Sequence, residues 1–204
     1  MGSFLAGIAA GYGIAIPVGA IAILIVEVGI KCGFRCAFFA GAGAATADLM
    51  YAVVAVLGGA ALAGLVDDVD TELRIVSAIV LAVIAVVGLH RARERAEIIT
   101  MASFPDRREL LVTYARFVGL TIINPTTIIY FAAVIAGLGV IDNMSIVAGG
   151  LFAVGAFLAS LSWQTVLAAS GAFAGARLND RVRVAAIVAG NLVILAFAIA
   201  ILFR

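Results

Sequence analysis

The chain has 204 residues, of which 65% are hydrophobic and 12% charged, and its mean hydropathy is +1.25. A soluble domain carries about 45–50% apolar and about 25% charged residues, so these values exclude water as the main solvent and leave no room for a soluble domain. The net charge of +1 says little as a sum, because acidic and basic residues are segregated along the chain; a nucleic-acid partner is not expected, and the lipid bilayer is.

A membrane-spanning helix needs roughly 20 apolar residues. Six charge-poor stretches can each hold one: residues 4–26, 37–66, 75–89, 117–141, 143–176 and 184–203. The expected fold class is therefore an all-α integral membrane protein with six transmembrane helices. The first stretch has no Lys or Arg ahead of its apolar run and no compact polar cleavage region, so it reads as the first helix rather than a removable signal. Pro17 interrupts it, two residues before Gly19. Near its end Glu27 stands four residues before Lys31, the spacing of an ordinary helical ion pair. Cys32 and Cys36 follow, with no second pair elsewhere to make a redox or metal site, and read as incidental small apolar residues.

The second stretch carries Asp48 about a dozen residues into an otherwise apolar run. A carboxylate at that depth costs at least about 2.5–3.5 kcal/mol on insertion scales, so it must face the bundle or a water-filled cavity. Asp48 is thus a candidate to bind a cationic group or exchange a proton, or else a structural acid bonded to freed backbone donors or to Asn124. The third stretch is short, with Arg74, His90 and Arg91 at its ends to snorkel toward the headgroups. Residues 91–113, rich in Arg and Glu, form the one long hydrophilic segment, a basic linker at the midpoint. In the fourth stretch Asn124–Pro125 is followed by Thr126. The fifth holds Ser160, Ser162, Trp163 and Gln164, and the sixth Asn191; Gln164 and Asn191 can join helices or touch a ligand.

Lys31 and Arg35 flank the first connection, six arginines fall between residues 91 and 116, and Arg177, Arg181 and Arg183 lie in the fifth connection. These connections alternate correctly to share the cytoplasmic side, which puts both termini outside. Three spans per half make the halves, residues 1–90 and 114–204, an inverted 3+3 repeat. Pro17 and Pro125 sit in the first helix of each half. Proline removes a backbone donor and clashes with the preceding turn, and matched interruptions of this kind form the substrate site in transporters built from inverted repeats.

The ordered set of Pro17 and Gly19, the basic-glycine turn from Lys31 to Arg35, Asp48 on a glycine-rich second helix, a basic central linker and Asn124–Pro125 resembles the lysine exporter (LysE) superfamily. The resemblance implies a secondary exporter of amino acids or related small metabolites in the cell (inner) membrane, driven by the proton gradient without a bound cofactor, and acting as a homodimer rather than as an enzyme. The family's Pro-Gly-Pro pattern corresponds to Pro17-Val18-Gly19, with one inserted residue and no second proline. Its Asn-Pro-Lys or Asn-Pro-His pattern corresponds to Asn124-Pro125-Thr126, and the missing cation weakens the case for an ordinary amino acid. Candidate substrate or coupling residues are Asp48, Pro17, Gly19, Asn124, Pro125, Thr126 and Gln164. A metal-cation exporter is the alternative, and it would require more intramembrane ligands than Asp48 and Asn124 supply.

Overall fold

A computed structural model describes residues 2–16, 19–94, 106–124, 127 and 145–202. Among them the chain is helical, without strands: α1 (Gly2–Ala15), α2 (Ala20–Cys32), α3 (Phe34–Glu94), α4 (Arg107–Ile122), α5 (Ile146–Arg177) and α6 (Asp180–Leu202). The expected first span is broken, and its two pieces, α1 and α2, are inclined by 78° across residues 16–19. The interior is built from small side chains. Ala37, Ala40, Ala44, Ala47 and Ala52 are fully buried, whereas Leu5, Val83, Ile146 and Phe173 are exposed. That is the arrangement expected where lipid, not water, covers the outside and close backbone approach holds the helices together.

Glycine seams set the helix directions. A Cβ on Gly7 would lie 2.1 Å from the carbonyl oxygen of Phe152, and one on Gly11 would lie 2.5 Å from that of Ala156, so α1 runs parallel to α5. Farther along, Gly29 abuts Gly171 and Gly175 abuts Ile30, so α2, though inclined to α1, lies against the same helix with the same polarity. α6 runs the other way, with Asn191 bonded to Glu27 and Ile187 packed with Ile30.

Two expectations are corrected here. The expected second and third stretches belong to one helical element, residues 34–94, with no Gly or Pro between Gly64 and Gly88 to stop it. This element nevertheless turns back on itself. Gly43 packs on Tyr114 and Phe117, and Leu81 shares a small cavity with Leu120 and Ile123; a straight helix would hold residues 43 and 81 roughly 57 Å apart. The other correction concerns the cysteines. Gly33, at φ 85°, turns the chain sharply between α2 and α3 and brings Cys32 and Cys36 together as a disulfide, with Cα atoms 5.8 Å apart.

α3 ends at Glu94 and α4 starts at Arg107, within the expected linker of residues 91–113. Asp106 caps α4 by accepting from the Arg107 amide, and Glu109 reaches back to the Asp106 amide at 3.2 Å, a capping box that starts the helix at once. Residues 95–105 lie outside the described part. α4 runs parallel to the first part of α3, Tyr114 meeting Thr46 and Tyr51 meeting Ile122. The ends carrying Lys31, Arg35, Arg107, Arg108 and Arg177 therefore gather at one end of the bundle.

Candidate functional site

Two helix ends meet at the middle of the bundle. α1 stops at Ala15, and α2 restarts at Ala20 with Gly19 extended at φ −114° and ψ −174°, where no side chain caps the new helix. The first amides of any helix lack intrahelical partners and form a partially positive end. α4 stops at Ile122. Its last turn tightens as the Asn124 amide donates to the Thr121 carbonyl at 3.2 Å, and the Thr127 amide donates to the Asn124 carbonyl at 3.1 Å. The Tyr51 hydroxyl, from α3, donates to the Ile122 carbonyl in this last turn.

Between the two endings lies a cavity of about 50 Å³, enough for a few water molecules given that each needs at least about 10–15 Å³. Ile14, Ala15, Gly19, Ile21 and Ala22 line it from the first break, and Thr121, Asn124 and Thr127 from the second. Ala44, Asp48 and Gln164 complete the wall. Asp48 is 5% exposed and accepts a hydrogen bond from the Ser160 hydroxyl at 2.5 Å. Gln164 Oε1 and Thr121 Oγ1 are buried without a hydrogen-bond partner among the described residues. Unmet buried polar atoms are costly, and here two of them border a space that can hold water or a ligand. The cavity thus offers a carboxylate and a free amide oxygen on one side and an uncapped helix N-terminus on another.

Of the residues singled out in the sequence, Asp48, Gly19, Asn124 and Gln164 are brought to this one cavity. Pro17, Pro125 and Thr126 lie outside the described residues. Among the described residues, the hydrogen-bond partner of Asp48 is the Ser160 hydroxyl. Sequence reasoning missed that pairing, along with Thr121, Thr127 and Tyr51. One signal was available: Ser160 and Gln164 are four apart in α5 and share a helix face, so a role for one argues for the other.

A model of the LysE type translocator family matches residues 13–204. The chain belongs to the LysE type translocator family. The translocator is accordingly a multi-pass membrane transporter, and the match takes in both helix breaks and all the cavity-lining residues. No curated protein and no solved structure matches the chain.

A second polar group lies in this translocator, away from the central cavity. Glu27, 7% exposed, pairs with Lys31 as its spacing suggests, but it also accepts from Asn191 Nδ2 at 3.0 Å. Asn191, 1% exposed, donates in addition to the Ile187 carbonyl at 2.8 Å. The carboxylate is therefore tied to α6 and is not merely a surface ion-pair member. His90 is exposed near the end of α3, as an interfacial residue would be.

Proposed function

We propose that the protein is a secondary transporter that exports an amino acid or a related small metabolite, with the central cavity as its substrate site and Asp48 as the charged residue that binds the substrate or exchanges the coupling proton. The observation that carries this reading is the meeting of a broken first span and the end of α4 at one cavity with a buried carboxylate in its wall. An ammonium group suits Asp48 and the free oxygen of Gln164; a carboxylate suits the N-terminal amides of α2. Thr127 and Asn124 supply neutral contacts from the opposite break.

The helix directions support a six-span, 3+3 inverted repeat. The first part of α3 parallels α4, the α1–α2 pair parallels α5, and α6 opposes both α2 and the later part of α3. Those are the relations that two oppositely inserted three-helix units produce. With the basic ends cytoplasmic, both termini face outward in the cell membrane. Proton coupling and a homodimeric assembly belong to the same proposal. The metal-cation alternative has less to rest on, since no group of three His, Cys, Asp or Glu side chains comes together among the described residues.

The test compares metabolites retained by cells that lack the protein, that express it, and that express Asp48→Asn. Asparagine preserves size and hydrogen bonding but removes charge and proton exchange. Export of a defined set of small metabolites should appear with the native chain and vanish with Asp48→Asn at equal membrane abundance. Unaltered export by the variant would remove Asp48 from the mechanism.

A further inference from the structure

We infer that Glu27 and Asn191 form a second cation station, built for the ammonium or guanidinium head of an alkyl cation and occupied in this structure by the ammonium of Lys31. The station opens on its own cavity of about 210 Å³, between α2, α5 and α6, whose wall is otherwise aliphatic: Ile23, Val26, Ile30 and Leu167 among others. It goes beyond the transport reading, because it rests on a different cavity and holds whatever the central one carries.

Glu27 is the fixed half of the pair. A carboxylate this buried needs a compensating charge, and its second oxygen is held by Asn191 from another helix. Lys31 is the movable half. Its side chain is 29% exposed, in the last turn of α2 at the basic end of the bundle, and four flexible carbons separate its ammonium from the backbone. Lys31 is also the sole lysine in a chain otherwise supplied with arginines. An arginine would grip the carboxylate through two parallel bonds, whereas an ammonium is a point charge that can be exchanged.

The space beside the pair is shaped for what would replace it. The cavity puts aliphatic side chains next to Glu27, suited to the alkyl stem of an entering cation whose head displaces Lys31. Gly190 and Ala186 on α6 leave this room, because their side chains are minimal. Ala22 lines both this cavity and the central one, and Leu167 is three residues from Gln164 on α5. The station therefore adjoins the central site on the side of the basic helix ends.

The experiment uses the purified full chain in detergent and n-butylguanidinium chloride as probe, at constant ionic strength, with tetramethylammonium chloride as the control that lacks N–H donors. Acylation of Lys31 by an amine-reactive ester, read on the peptide that contains it, should speed up saturably with n-butylguanidinium and not with tetramethylammonium. In Glu27→Gln the reaction should be fast and indifferent to both. In Lys31→Met the tethered competitor is gone, so n-butylguanidinium should raise thermal stability with an apparent affinity about tenfold tighter than for the native chain. The double variant Lys31→Met/Glu27→Gln, which buries no charge at this position, should show no such effect. Lys31 acylation unaffected by n-butylguanidinium, or equal responses from Lys31→Met and the double variant, would overturn the station. Neither readout depends on export, so the central-site reading stands or falls separately.

Discussion

The bond between Ser160 and Asp48 offers a way to read whether the buried carboxylate carries its charge. Removing the Ser160 hydroxyl with Ser160→Ala leaves Asp48 without the donor that now lies at 2.5 Å. A hydrogen bond to a charged group contributes about 1.5–3 kcal/mol and one between neutral groups about 0.5–1.5 kcal/mol. Ser160→Ala should therefore cost about 2 kcal/mol in the native chain and about 1 kcal/mol in an Asp48→Asn background, where the amide oxygen can still accept. The difference is a coupling of about 1 kcal/mol, roughly a fivefold change in the folded-to-unfolded ratio. Four chains suffice: native, each single variant and the double, unfolded reversibly in mixed micelles. Trp163, the one tryptophan of the chain, lies three residues from Ser160 and reports the transition by its fluorescence. Equal costs in the two backgrounds would refute a charged Asp48, and a negligible cost in both would refute the bond.

Other consequences can be checked with similar variants. Gly7→Ala would press a Cβ onto the Phe152 backbone at 2.1 Å and should destabilise by about 1–3 kcal/mol as α1 is forced off α5, whereas Gly150→Ala, with nothing within 4 Å, should be neutral or stabilising by up to about 1 kcal/mol; the same sign for both in thermal unfolding would count against the seam. Asp106→Ala removes the cap of α4 and should cost about 1 kcal/mol of stability, seen in the same unfolding assay; no loss would mean the capping box does not start that helix. Replacing Asn124 and Pro125 together by Ala should regularise the fourth span and abolish substrate binding; unchanged binding would leave the break as a packing kink. A reporter active only in the cytosol, fused after Arg204, should stay silent if both termini face outward.

What the sequence made legible follows from effects that are local or summed. The apolar excess, the spacing of basic residues and the isolated Asp48 are each visible in one dimension, because lipid charges a large free energy for any exposed polar group. The break near Pro17 was readable for the same reason. Pairings that join distant segments were not. Nothing in the neighbourhood of Asp48 announces Ser160, 112 positions away, and nothing near Tyr51 announces the Ile122 carbonyl. Glu27 was misjudged differently: its contact with Lys31 lies within one helix and was foreseen, while its burial under Asn191 depends on how α6 crosses α2. The helical course of α3 through its acidic run went unseen because charge marks where a chain leaves the membrane, not whether its backbone hydrogen bonding stops there.

The seam between α5 and the broken first span limits how the molecule can move. α5 is one unbroken rod, and glycine contacts fasten it to α1 at Gly7 and Gly11 and to α2 at Gly29. Backbone rests against backbone at these points, so neither piece can slide lengthwise without driving a peptide group into its neighbour. Swivelling is not opposed in that way. α1 and α2 are thus both held against one common rod, on either side of the cavity between their ends. Asp48 and Gln164 line that cavity, so the backbone seam fixes the frame in which the carboxylate and the amide sit.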